Sequence, residues 1–300
     1  MEGMSSMPAS RFDYRELVQR NIGFVTEAEQ ERIRHARVFV CGVGGMGGAC
    51  VMSLVRAGVS HLTIADIDRF EISNLNRQLF AFLDTIGSNK ARVTRERLLA
   101  INPELQIRVV ADEWTERVDE ILAEHPVVVN GMDHVPSGIL LYRKAREHGA
   151  TVVDAYASPL PSVYVVRPGD PRPEERLGYP TTKMAWTDIG PEEEAACLLR
   201  EIEYALVHSS SKDYVDLGAA AEMLSGARKR MSFAPMVVTA GNLMCFETIS
   251  LVTGRPSACD HRGYFFNPWA ARVERPRSWP VAAARRWLVR RFLRRLTHGT

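Results

Sequence analysis

Short apolar runs alternate with segments of helical period through the first half of the chain. RVFVCG (37–42), HLTIAD (61–66), QIRVVAD (106–112), PVVVNGMD (126–133) and TVVDAYA (151–157) are compact apolar stretches. Such runs suit parallel strands buried on both faces. Between them lie helical patterns at 26–36, 46–57, 89–100, 118–124 and 139–150. Thr26 followed by Glu29 has capping-box spacing. Asn102-Pro103 discourages continuation of the third helix, and Gly149 closes the last. Strands alternating with helices predict an α/β fold: a Rossmann-like, doubly wound, mostly parallel sheet.

The second half changes character. Prolines and glycines cluster through PLPSVYVVRPGDPRPEERLGYP, which predicts an irregular surface excursion over 158–195. Helical pattern resumes near 192, residues 236–253 read as a buried helix, and 261–275 suit a closing hairpin. The predicted organisation is an N-terminal arm (1–19), loose over its first 14 residues, and a Rossmann-like region (20–157). A crossover loop and the substrate-side half of the same domain follow (158–275), then a basic amphipathic tail (276–300). In the tail, Val281, Trp287, Leu288, Phe292 and Leu296 interleave with six arginines. Such a helix suits an anionic membrane surface, an acidic partner, or packing on its own dimer with its arginines in water.

Composition narrows the class. Net charge is +2 over 300 residues, so the overall balance does not point to nucleic acid. The start has no signal-peptide core, and no stretch reads as roughly 20 apolar residues, so a cytoplasmic protein is expected. Five scattered cysteines form no CxxC pair, so neither a disulfide framework nor a zinc site is expected.

The chemistry starts at CGVGGMGGAC (41–50). Gly42, Gly44 and Gly47, with Gly45 between them, follow a strand and open a helix. This arrangement permits a tight turn, close approach of a ligand, and close helix–strand packing. The helix start offers free N–H groups to an anion. Asp66 ends the second strand near the offset of an acid that binds ribose hydroxyls. These residues alone admit NAD, FAD or ATP. The next segment separates them: Asp68, Asn74, Asn76, Arg77, Gln78 and Lys90 are more polar groups than a pyrophosphate and a nicotinamide need. Arg77 and Lys90 suit a triphosphate, neutralising charge on leaving pyrophosphate. Asp133, at the carboxyl end of the fourth strand, suits Mg²⁺.

DIDRFEISNLNRQLF (66–80) resembles the ThiF/MoeB/HesA family, bacterial relatives of ubiquitin-activating enzymes. RNIGFVTEAEQERI, VFVCGVGGMGG, VVVNGMDH and VVTAGNLMCFETISLVTG resemble further segments of that family. The resemblance implies Mg-ATP-dependent adenylation of the C-terminal carboxylate of a small protein or peptide, with release of pyrophosphate. It implies Asp66 on the ribose, Asn74, Arg77, Gln78 and Lys90 around the phosphates, and Asp133 on magnesium. Arg20 matches an arginine that members pass across a homodimer to the neighbouring ATP; an ordinary surface arginine is the other reading.

This sequence also departs from the pattern. The family's zinc-binding CxxC pairs are missing. Its aspartate-asparagine pair reads Asp133-His134, and its arginine five residues beyond the aspartate is Gly138. Some members form a thioester on a crossover cysteine, where Cys197 is the single candidate. Three glutamates just before it disfavour a thiolate, so adenylation is the better supported step. Tyr156 and Trp186 are candidate substrate contacts. Two other readings stay open: an NAD-dependent oxidoreductase, which leaves Asn74–Gln78 and Lys90 idle, and a non-catalytic adenylation-fold partner.

Overall fold

A computed structural model describes residues 12–224 and 226–297. Its centre is an eight-stranded sheet in the order β3-β2-β1-β4-β5-β6-β7-β8. Strands β1 (Arg37–Cys41), β2 (His61–Ala65), β3 (Gln106–Val110), β4 (Val127–Asn130) and β5 (Thr151–Asp154) run parallel. Strands β6 (Ser162–Val166), β7 (Tyr264–Asn267) and β8 (Arg272–Glu274) add on antiparallel. The strand and helix readings therefore stand, with the strands shorter than expected. β4 ends at Asn130, which leaves Asp133 in the loop beyond it.

Helices α1 (Tyr14–Val18) and α2 (Glu27–His35) precede the sheet. Thr26 and Glu29 form the expected reciprocal cap of α2. Residues 1–11 lie outside the described residues, but the end of the predicted arm is not loose. Tyr14 is buried and donates its hydroxyl to Gly58 O at 2.8 Å. Helices α3 (Gly45–Arg56), α4 (Lys90–Leu99), α5 (Val118–Glu124) and α6 (Val135–Glu147) connect the parallel strands.

The stretch 158–195 departs from expectation. It contains β6, every residue of which is buried, and the short helix α7 (Pro173–Arg176). The apolar run SVYVV is a strand signal; Pro159, Pro161 and Pro168 frame it so closely that it reads as part of a loop. A strand fits because β6 closes the parallel half of the sheet, pairing Val153 with Val165.

Helices α8 (Pro191–His208), α9 (Leu217–Leu224) and α10 (Ala234–Thr253) follow. α10 is 20 residues long with mean hydropathy 1.4, enough to cross a membrane by length and composition. This corrects the reading that no such stretch exists. Its packing is that of a core helix: a Cβ on Gly241 would lie 2.4 Å from Met46 O, so α10 presses directly on α3. Ser53 Oγ also donates to Asn242 Oδ1 at 2.7 Å. Its outer side stays open at Phe246, so it is buried on one face only.

The last helix, α11 (Trp279–Thr297), docks on α8. Ala282 and Leu293 are buried. Arg290 Nε reaches both oxygens of Glu203, at 3.1 and 3.0 Å, and Arg286 pairs with the same carboxylate. Arg285 donates to Leu206 O and Ser209 O, caps for the carbonyl end of α8. Along this side the tail packs on α8 of its own chain, with Arg285, Arg286 and Arg290 bound to it rather than free in water.

Candidate functional site

In a sheet of order 3-2-1-4-5, the chain leaves β1 in opposite directions, and a crevice opens beyond the carboxyl ends of β1 and β4. The loops that leave these two strands carry Gly42–Gly47 and Gly131–Asp133. They touch backbone to backbone. A Cβ on Gly47 would lie 1.9 Å from Gly42 O, and one on Gly131 would lie 2.3 Å from the same oxygen. Gly42 itself has φ +86°, a left-handed conformation open to glycine. Gly42 N donates to Ala65 O and Gly131 N to Cys41 O, both at 2.7 Å, which extends the sheet into both loops.

Helix α3 then starts without a side-chain cap at Gly44. Its first N–H groups carry the partial positive charge that attracts an anion. Gln78 leans over this start, with Nε2 3.5 Å from where a Gly44 Cβ would stand. Its Oε1 is buried and has no hydrogen-bond partner. An orphaned buried acceptor is costly, so a ligand that donates to it fits here. Gly45 faces Val237 of α10, where a Cβ would approach the valine methyl to 2.6 Å.

Asp66 follows β2 directly. Its Oδ2 accepts Val43 N at 2.9 Å and its Oδ1 accepts Asp68 N at 2.9 Å. Burial raises its pKa; these N–H bonds and Lys90 act the other way. Lys90 is buried and holds Asp68 at 2.8 Å. Asp68 is therefore the lysine's counter-ion. Asn89 caps α4 and binds Asp66 O at 3.1 Å, fixing the loop between the two acids.

The 74–78 segment is organised by its own side chains. Asn74 Oδ1 accepts Glu71 N at 3.0 Å. Arg77 Nη1 donates to Ser73 O and to Asn76 Oδ1, at 2.8 and 3.0 Å. Asn76 reaches Ser232 O at 3.1 Å. Of this segment, Gln78 is the residue brought onto the glycine loop. Asp133 is exposed, two residues past Gly131, and its carboxylate makes no hydrogen bond or ion pair among the described residues. Together with phosphate oxygens, a free carboxylate of this kind fits Mg²⁺. Among the described residues, no group of three or more His, Cys, Asp or Glu is arranged to hold a metal by itself.

Arg20 stands apart. Its neighbour Asn21 is fixed to Ala57 O, at the far end of α3 from Gly45. The 12 residues of α3 place roughly 18 Å between that anchor and the glycine loop.

Other residues singled out in the sequence are placed as follows. Tyr156, a candidate substrate contact, is buried, stacked on Tyr164 with centroids 4.5 Å apart and donating to Arg262 O. Trp186 packs, half-buried, against the same apolar cluster. Cys197 is buried, and its thiol is pushed up to about 11 by burial, with Glu174, Glu194 and Glu201 adding to it. His134 caps the start of α6 without bonding the helix backbone, its Nδ1 2.8 Å from Ser137 Oγ.

Sequence reasoning missed the buried cluster at the ends of β4 and β5. Asp154 Oδ2 accepts from Asn130 Nδ2, Tyr142 OH and Tyr164 OH at 2.8, 2.6 and 2.9 Å. Burial nevertheless raises Asp154 to about 7. The unfolded carboxyl titrates near 4, so between about pH 4 and 7 the native state holds the extra proton. Stability is therefore expected to fall as pH rises through that window, and Asp154→Asn to flatten that part of the slope. Urea midpoints between pH 4 and 8 check this; an unchanged slope in the variant refutes it.

This combination, a doubly wound sheet with a glycine cradle, an acid after β2 and a free carboxylate after β4, defines a nucleotide-binding enzyme fold. The chain belongs to the ThiF family, whose model it matches over residues 18–283. It is 37% identical over 113 residues to the sulfur carrier protein adenylyltransferase of Thermus thermophilus, covering 37% of this chain and 42% of that protein. It is 32% identical over 124 residues to the tRNA threonylcarbamoyladenosine dehydratase of Haemophilus influenzae, covering 41% and 48%. The matches thus span less than half the length of these two relatives. Among solved structures, E. coli tRNA N6-threonylcarbamoyladenosine dehydratase superposes with TM-score 0.59 at 19% identity, over 80% of this chain and 95% of that one. E. coli MccB with ATP gives TM-score 0.59 at 18% identity, over 83% and 67%. At that identity the two structures speak for the fold.

Proposed function

We propose that the chain is an Mg-ATP-dependent adenylyltransferase that activates a carboxylate: the C-terminus of a small sulfur-carrier or ubiquitin-like protein, or of a peptide. The observation that carries this reading is the contact between the two glycine segments, which brings the uncapped start of α3 and, two residues past Gly131, the free Asp133 carboxylate to the carboxyl ends of β1 and β4. Asp66 takes the ribose, and Arg77, Lys90 and the amide nitrogens of Asn74 and Gln78 take the phosphates. Arg77 and Lys90 exchange their present partners, Ser73 O and Asp68, for phosphate oxygens. Asp133 takes Mg²⁺, which neutralises phosphate charge when bound.

In the reaction a carboxylate oxygen bonds to the α-phosphorus. The bond from that phosphorus to the bridging oxygen breaks, and pyrophosphate leaves with the electron pair. The step needs positioning and charge neutralisation rather than a general base. Arg20, whose neighbour Asn21 is anchored at the far end of α3, serves the site of a second copy, so a homodimer is part of the reading. Five free buried cysteines suit the reducing cytoplasm. Relatives named for a sulfur carrier protein, and MccB solved with N-formylated MccA, support a protein or peptide substrate. Relatives named for a modified tRNA nucleoside add that class to the substrates worth testing.

ATP–pyrophosphate exchange with candidate carboxylate proteins and peptides tests the proposal. Cys197→Ser is expected to leave exchange within about twofold of the parent, because a buried thiol at about 11 is not a thiolate at neutral pH. A thiol-sensitive covalent adduct with the activated substrate, formed by the parent and lost in Cys197→Ser, brings a thioester step back into the reading. Binding of NAD in place of ATP overturns the whole reading.

A further inference from the structure

Most of α11 lies beyond the family match, which ends at residue 283. The helix has two sides with different fates. One is held on α8 by Ala282, Leu293 and the Glu203 ion pairs. The other carries Trp287, 63% exposed, Leu288, 58% exposed, and Val281, 46% exposed, with Trp279 at 79% where the helix starts. Arg291 flanks this strip, its guanidinium 5.9 Å from the Trp287 ring centroid. The helix contains six arginines and no acid. The whole chain is +2, so everything outside α11 sums to −4.

We infer that the outer side of α11 is a docking face for an anionic lipid bilayer. Charge complementarity selects the sign: a concentrated cationic helix on a chain whose remainder is net acidic attracts an anionic surface. The side chains select lipid. Leu288 and Val281 have nothing to offer a phosphate backbone. A single helix presents a convex ridge, so a protein partner needs a matching groove, whereas a bilayer needs none. Indole rings settle at headgroup depth, aliphatic groups enter below them, and guanidiniums reach back to the lipid phosphates. The Glu203 pairs fix the rotation of the helix, so this face is presented without reordering.

The test is flotation of the full chain with vesicles of phosphatidylcholine alone and of phosphatidylcholine with phosphatidylglycerol. The protein is expected to float with the anionic vesicles only, with a blue-shifted tryptophan emission, and to come off as salt rises. Arg291→Glu is expected to weaken vesicle binding by about fivefold or more. The double variant Trp287→Glu, Leu288→Glu is expected to lose flotation while its thermal midpoint and Mg-ATP binding stay those of the parent. Both residues are exposed, so the variant folds. Failure to float with anionic vesicles overturns the inference, as does equal flotation of the double variant. Binding of polyglutamate or RNA without vesicle binding overturns it too, and reassigns the face.

Discussion

Asp133→Ala is expected to reduce Mg-ATP affinity to the level the parent shows in EDTA, and adenylate formation by at least about 10²-fold. The parent should bind Mg-ATP in the micromolar range, about −8 kcal/mol. The reason is the isolation of this carboxylate. It is exposed just past Gly131 and bonds to nothing among the described residues, so its removal leaves the fold intact. Only a charge partner supplied with the nucleotide gives it work. Calorimetric titration with ATP, with and without Mg²⁺, checks this. A variant that binds Mg-ATP like the parent removes Asp133 from the site.

Gly47→Ala is expected to destabilise the fold by roughly 3 kcal/mol or more and to abolish nucleotide binding. The new Cβ would stand 1.9 Å from Gly42 O. Gly42 has nowhere to retreat, because a Cβ of its own would already meet Gly131 C at 2.6 Å. Gly87 is the control: φ is +83° and nothing stands within 4 Å, so Gly87→Ala carries only backbone strain, on the order of 1 kcal/mol. Urea unfolding of the two variants separates close packing from conformational freedom. Equal midpoints for both would mean that the loop contact carries no energy.

The parallel half of the fold was legible because each strand is an unbroken apolar run between helices of clear period. Thr26 and Glu29 announced the start of α2 and do form its cap. What stayed hidden depends on neighbours remote in sequence. β6 is a strand because Val153 and Asp154 pair with it, and local prolines say otherwise. Gly131 is needed because Gly42 comes within contact of it. Asp154 looks like a loop acid until Tyr142, Tyr164 and Asn130 converge on it. The candidate residues Asp66, Asp68, Gln78 and Lys90 were readable, but not the pairing among them: Lys90 rests on Asp68. For Arg20, sequence left the choice between a donated arginine and an ordinary one open; the contact of its neighbour Asn21 with Ala57 O sets this part of the chain against the far end of α3.

The contact between the Gly42 and Gly131 loops also bears on how the chain folds. The two loops come from strands adjacent in space but far apart in sequence, separated by two other strands and their helices. Long-range parallel pairings are slow because loop closure precedes their reward. The nucleotide cradle is therefore a late product of folding: a partly folded chain holding only β1, β2 and β3 has the glycine motif but not the surface that shapes it. ATP should bind only after β4 has joined β1, which makes the nucleotide a reporter of completed folding and, by mass action, a ligand that selects the finished state.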